Sequence, residues 1–290
     1  MRVILGHNQF IGISHISESR SREREQIFSK IENIYKVVEA ASKLGYKSMI
    51  IETHPRMLEF VEYYKKNKTF DMDFYLQTPY AQGYIQKMNE QGIIGLISDI
   101  VTKTGFVGAS SLVLRGAVNL IAGDPLAVAI SALKLEVAPF DGINIKALLL
   151  HNIITDLALS LRISDAFSEY ENYVRDKLGY VPGYITLNFP LFRKCFEEWH
   201  LSSPLVMTPV NPQGYDMNPS RDIVENALKS YHGDIIAMNV LGGGAFPVTE
   251  AAKYLKSFDS VKQCVIGASS RNHLKESLMR LGENSSNGLL

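Results

Sequence analysis

Short apolar runs alternate along most of this chain with longer stretches whose apolar positions recur at helical spacing. Eight runs read as strands: Val3–Leu5, Ser48–Ile51, Asp73–Gln77, Ile145–Leu150, Tyr184–Asn188, Leu205–Thr208, Ile235–Asn239 and Lys262–Ile266. Several are nearly continuous in apolar residues, the pattern of strands covered on both faces. Residues 22–44 repeat Ile27, Ile31, Ile34, Val38 and Ala41 at helical spacing and stop at Gly45. Segments 55–66, 191–200, 220–231, 248–258 and 270–281 have the same character. Asn218-Pro219 offers a cap and a first helical residue, Pro247 opens the next helix, and Ser269 or Ser270 caps the last.

Eight strand–helix repeats predict an α/β fold of the TIM-type (β/α)8 barrel, in a single domain spanning 1–290. The chain's 290 residues exceed the roughly 250 typical of that barrel, leaving room for an insertion. Residues 78–144, between strands three and four, break the rhythm with two or three helical segments. They predict an enlarged helical excursion, serving as a lid or a subunit contact. In the alternative, Ser111–Leu114 is a strand and the barrel is not the standard one. The Asn/Ser/Gly-rich tail Glu283–Leu290 is expected to fray.

Charge narrows the partners. Thirty basic residues balance thirty acidic ones, and the mixed block Ser19–Gln26 neutralises itself as a patch. Neither a nucleic-acid backbone nor an anionic membrane is an expected partner. Residues 112–122 and 126–140 are apolar, but Arg115, Asp124, Lys134 and Glu136 interrupt them, so no bilayer-spanning run is expected. No apolar signal segment follows Met1-Arg2, and a cytoplasmic location is the expectation. Cys195 and Cys264 lack any metal-ligand spacing and read as buried thiols in a helix and a strand.

In such barrels chemistry gathers at the carboxyl ends of the strands. Those ends carry His7 after strand one, with His15 further along its loop, Glu52, Thr53 and His54 after strand two, and Gln77 after strand three. His151 and Asn152 follow strand four, and Asn188, Thr208, Asn211 and Asn239 follow strands five to seven. His151, Glu52, His7 and His54 are the catalytic candidates. A histidine titrates near neutral pH and can move a proton, while a carboxylate orients or charges it. A divalent metal held by His7, Glu52 and His151 is a further possibility, without a diagnostic short ligand spacing. The plain reading makes His7 and His151 loop-shaping residues bonded to backbone.

A second cluster follows strands seven and eight. Gly242, Gly243 and Gly244, then Gly267, Ser269, Ser270 and Arg271, are the candidates for holding a phosphate or a cofactor's phosphate. Glycines let backbone N–H groups approach an anion, and a helix starting near Ser270 adds its positive end. The polar loop Asn211–Asn218 offers further hydrogen-bonding groups to a substrate.

The last quarter of the chain resembles the aldo-keto reductase barrel. Ile235–Phe246 (IIAMNVLGGGAF) is similar to that family's seventh strand and glycine loop, and Val265–Glu276 (VIGASSRNHLKE) to its final strand and helix. Leu148–Asn152 (LLLHN) resembles the strand bearing its active-site histidine. The resemblance implies NAD(P)H as cofactor and a centre of Asp, Tyr, Lys and His around a carbonyl. By position Glu52 stands for the Asp and His151 for the His, but Gln77 occupies the place of the Lys. No Tyr follows Glu52; His54 or Tyr80 would have to substitute. An uncharged Gln cannot depress a tyrosine's proton affinity as Lys does.

These departures favour an enzyme acting by His/Glu-assisted proton transfer, lyase or hydrolytic chemistry on a small polar molecule, phosphorylated or not. An NAD(P)H-dependent oxidoreductase with an altered centre is the alternative. A non-catalytic assembly module, with residues 93–140 as a homo-oligomer surface, is the third reading.

Overall fold

The computed structural model describes residues 1–13, 18–79, 133–267 and 270–282. Eight parallel strands close into a barrel in sequence order: β1 (Arg2–Leu5), β2 (Ser48–Glu52), β3 (Asp73–Thr78), β4 (Asn144–Leu150), β5 (Val181–Ile185), β6 (Leu205–Pro209), β7 (Ile235–Met238) and β8 (Val261–Ile266). The predicted class is therefore the observed one. β3 pairs directly with β4 through six register positions, from Asp73–Asn144 to Thr78–Leu150. The barrel thus closes without any strand from the excursion, and Ser111–Leu114 itself lies outside the described residues.

Side chains alternate between the interior and the outer shell, as the period of two requires. Ile4, Ile50, Tyr75, Ala147, Leu149, Ile185, Met207 and Ile236 form a buried plug inside the barrel. The opposite faces of the strands pack against surrounding helices in a larger core that includes Leu5, Ile51, Leu76, Leu148, Phe189 and Leu255. Both faces of each strand are apolar because both are covered. Burying each such side chain contributes about 1.5–3 kcal/mol.

Among the described residues the helices are α1 (Glu18–Ile27), α2 (Ile31–Leu44), α3 (Pro55–Lys66), α4 (Asn152–Ser160), α5 (Ser164–Asn172), α6 (Phe189–Glu198), α7 (Arg221–Lys229), α8 (Val248–Leu255) and α9 (Arg271–Leu281). The single helix expected over 22–44 is two, because Lys30 adopts an extended backbone before α2 (ψ 128°). Gly45 ends α2 with φ 112°, a left-handed conformation that glycine adopts at little cost. Strand β5 sits earlier than Tyr184–Asn188. Pro182 and Gly183 lie within it, where such residues would usually mark a boundary, and Asn188 instead caps α6 by accepting from Leu191 N–H. Asn218-Pro219 does not start α7. Asn218 N–H donates to Leu187 O at 3.3 Å, anchoring this stretch to the β5 loop, and Ser220 precedes the first helical residue.

A turn of π-helix over Tyr173–Leu178, which the apolar pattern did not foreshadow, leads into β5. Both cysteines are buried and free, and burial pushes the Cys264 thiol up to about 12. Such thiols are poor nucleophiles. No helix among the described residues is long and apolar enough to cross a membrane. Tyr80, His15, Ser269, the tail from 283 and most of the 93–140 stretch lie outside the described residues.

Candidate active site

Alternation from Ile50 and Tyr75 carries Glu52 and Gln77 to the inward positions at the carboxyl ends of β2 and β3, where they are register partners. Gln77 Nε2 donates to Glu52 Oε2 at 3.2 Å. From β1, the chain turns into a short 3-10 segment, Asn8–Ile11, with His7 at its start. This turn sets His7 Nε2 3.4 Å from Glu52 Oε2, with both residues about 95% buried (4% and 5% exposed). Arg56, in the first turn of α3, donates to Phe10 O at 3.1 Å and ties the β2 and β1 loops together.

His54 and His151 occupy equivalent places on successive units. Each is the N-cap residue of its helix, α3 or α4, in extended conformation. His54 Nδ1 accepts from Arg56 N–H at 3.1 Å, and His151 Nδ1 accepts from Ile153 N–H at 3.2 Å. An Nδ1 that accepts carries no proton, so each neutral imidazole holds its proton on Nε2. Burial holds both histidines below the ordinary imidazole range, against the pull of Glu52. Both therefore act as neutral Nε2–H donors. His54 and His151 each lie within electrostatic reach of Glu52 and His7, which brings the four candidates to one end of the barrel.

Burial pushes the Glu52 carboxyl upward, but the combined pull of His7, His54 and His151 holds it below its usual value. Among the described residues, no three His, Cys, Asp or Glu side chains form a group able to hold a metal ion.

Beside this cluster lies a cavity of about 360 Å³, lined by His7, Gln9 and Gln77 on one side and by the β7 and β8 loops on the other. Gly243 and Gly244 line it with φ of 70° and 96°, and Gly267 adds a wall without a side chain. A Cβ at Gly267 would come within 2.7 Å of Gln9 Oε1. Gln9 is itself buried and donates to Gly6 O at 2.8 Å. Gly242 has a packing task instead: a Cβ there would meet the Phe246 ring at 2.5 Å. Ser270 caps α9 by accepting from His273 N–H. Arg271 is exposed and does not line the cavity.

Two polar or charged lining residues, Arg24 and His273, escaped the sequence reading. His273 stands in the strand–helix motif, and its place three residues after a serine cap was the available signal. Arg24 belongs to the block read as self-neutralising, yet it lines the cavity and donates to Ile13 O at 3.0 Å. No sequence pattern marks it, because α1 reaches the mouth only through the tertiary fold. The polar 211–218 loop spends much of its capacity on itself. Asn211 donates to Tyr215 O and accepts from Tyr215 N–H, both at 2.8 Å, and is fully buried. Asn239 lines the cavity and donates to Asp216 Oδ2 at 2.9 Å, joining the β6 and β7 loops.

No described protein family and no curated protein matches the chain. Solved structures do match its fold. A Pseudomonas aeruginosa protein, PA4992, named as an aldo-keto reductase, superimposes with a TM-score of 0.61 at 13% identity, covering 97% of this chain and 90% of that one. The thermostable aldo-keto reductase Tm1743, solved with the inhibitor epalrestat, gives 0.53 at 14% identity over 99% and 90% of the two chains. The aldo-keto reductase AKR11C1 of Bacillus halodurans gives 0.51 at 12% identity over 98% and 87%. The chain therefore shares the TIM-barrel fold of these structures.

Proposed function

We propose that this protein is an NAD(P)H-dependent oxidoreductase acting on a small polar carbonyl or alcohol, with a His7–Glu52 pair at its centre. The cavity is the observation that carries the reading. Among the described residues its lining contains no carboxylate, while Arg24, His273, His7 and the glycine walls at Gly243, Gly244 and Gly267 all face it. A wall of bare backbone beside a helix start, with the Arg24 guanidinium and no carboxylate among the described lining residues, fits the pyrophosphate of a dinucleotide. When bound, NAD(P)H would supply or accept the hydride.

His7 both faces the cavity and touches Glu52. It is placed to pass a proton to or from the substrate oxygen, with the Glu52 carboxylate beside it to orient the ring. His151 and His54 act as Nε2–H donors that orient and polarise that oxygen. Gln77 fixes the Glu52 carboxylate by hydrogen bond where a lysine would compete for its charge. Ile50, Met207 and Met238 give the cavity an apolar floor that keeps water from the reacting carbon.

Titration with NADPH and NADH, followed by nicotinamide fluorescence and melting temperature, tests this reading. Saturable binding that weakens in His273→Asn or Gly244→Ala is expected, with binding retained and turnover lost in His7→Asn. No saturable binding of either cofactor would overturn it.

One observation favours a second reading. The group beside Glu52 is the uncharged Gln77, and no tyrosine lines the cavity among the described residues. If neither cofactor binds, the same His/Glu centre suits proton transfer, lyase or hydrolytic chemistry on a small, phosphorylated molecule, with the glycine loops gripping its phosphate.

A further inference from the structure

The opposite end of the barrel is polar in a way that barrel closure does not require. Inward positions near the amino ends of the strands include the plug residues Tyr75 and Ala147 and, by alternation from inward residues two or four places further along, Arg2, Ser48, Val181 and Gln263. A cavity of about 530 Å³ opens there, walled by Ala147, Val181 and Leu205 and rimmed by Ser203 and Gly233. The small Ala147 leaves room that a larger inward residue would fill. Gly233 keeps the rim closed: a Cβ there would lie 2.7 Å from Pro204 O and 2.8 Å from Ser203 O.

Arg2, Lys146 and His232 line this cavity, against one carboxylate, Asp234, among the described residues. Arg2 and His232 make no ion pair with any described residue, and Lys146 reaches Asp73 only at 3.9 Å. An adjoining hollow of about 460 Å³ shares Arg2, Asp234 and Gln263 and adds Lys256 and Lys262 against Asp259. Cations outnumber carboxylates in both.

Gln263 supplies the independent observation. It is only 8% exposed and lines both hollows. Its Oε1 accepts from the Tyr75 hydroxyl at 2.7 Å, which fixes the amide plane. Its Nε2 has no partner among the described residues. The amide is held in place by Tyr75, and its Nε2 opens onto the hollows, where it can donate to a ligand.

We propose that the barrel floor is a second binding site, for a phosphate-type oxyanion carried free or as the head of a small phosphomonoester. Gln263 Nε2 donates to one oxygen, Arg2 supplies charge and His232 a ring donor, and Ala147, Val181 and Leu205 form the wall against which an organic group would rest. The site uses none of the residues at the mouth, so its fate is independent of the cofactor reading.

The test is a 15N-resolved NMR titration of the full chain with inorganic phosphate and, separately, with glycerol phosphate, read at the Gln263 side-chain amide. Saturable movement of that amide is expected with both ligands. Tighter binding of the monoester would mean that the organic part contacts the apolar wall; equal binding would mean that the head group alone is held. Arg2→Gln, an exposed change that leaves the core intact, should weaken binding about tenfold, the loss of one charge-assisted contact. His7→Asn should leave it unchanged. Movement reproduced by sodium chloride at matched ionic strength, or unaltered affinity in both Arg2→Gln and Gln263→Met, would overturn the proposal.

Discussion

At the carboxyl ends of the strands, Glu52 accepts from Gln77 and faces His7, Asn211 closes on Tyr215, and Asp156 holds both the Thr186 hydroxyl and Leu187 N–H. At the amino ends, Arg2 and His232 lack ion pairs and Gln263 Nε2 lacks an acceptor among the described residues. The mouth binds most of these polar groups to one another before any ligand arrives, the buried Thr78 hydroxyl being an exception; the floor keeps its groups in reserve. Buried charge is tolerable at the mouth because it is paired. At the floor the cations are exposed and hydrated, so they need no protein partner.

That contrast predicts its own failures. The largest effect belongs to the mouth. Replacing Glu52 by Gln or His7 by Asn should lower kcat by about 10²–10⁴-fold, the usual contribution of a general acid–base pair, while cofactor affinity changes little. Steady-state turnover beside equilibrium NADPH titration separates the two. Equal losses in both would show that the pair supports the cavity rather than the chemistry.

Backbone crowding should cost less, and similarly at either end. Gly233→Ala drives a Cβ into two carbonyl oxygens, and Gly242→Ala meets the Phe246 ring from a left-handed backbone at φ 54°. Each should destabilise by about 1–3 kcal/mol in urea melts. A neutral Gly242→Ala would mean that the Phe246 ring yields. Asp156→Asn keeps one acceptor of two and should cost about 1–2 kcal/mol by the same measurement.

The pH response distinguishes the ends further. His54 and His151 have folded-state pKa values lowered from 6.5, so the unfolded chain takes up protons first as pH falls. Stability should therefore drop as pH falls from 6.5 toward the depressed values. Glu52 is held below 4.5, so its contribution is present above that pH and is lost as pH falls through its folded value. Melting temperature against pH should show both steps. His54→Asn and His151→Asn should flatten the first, because asparagine caps a helix without titrating. An unchanged profile in both variants would place the titration elsewhere. The smallest effect is at the floor, where Arg2→Gln should shift unligated stability by no more than about 0.5 kcal/mol.

The barrel was legible because a strand buried on both faces leaves a short continuous apolar run, and eight such runs survive any error of a residue or two. Glu52, His54 and His151 were legible for a related reason: each lies at or just past the end of such a run, so position along the chain fixed position in space. Boundaries were less so. Pro182 and Gly183 disguise the start of β5, and Lys30 divides a helical pattern that is otherwise continuous.

What the chain determined alone is which residues stand at each end of the barrel, since a period of two and a parallel register decide it. Tertiary structure decided what those residues do to each other. The His7–Glu52 contact depends on a 3-10 turn after β1, and the tautomers of His54 and His151 depend on the helix starts beneath them. Arg24 and His273 meet at one cavity although 249 positions (273 minus 24) separate them. The pairing of Tyr75 with Gln263 spans β3 and β8. No local pattern encodes such meetings, because they arise only when the first and last strands close on each other.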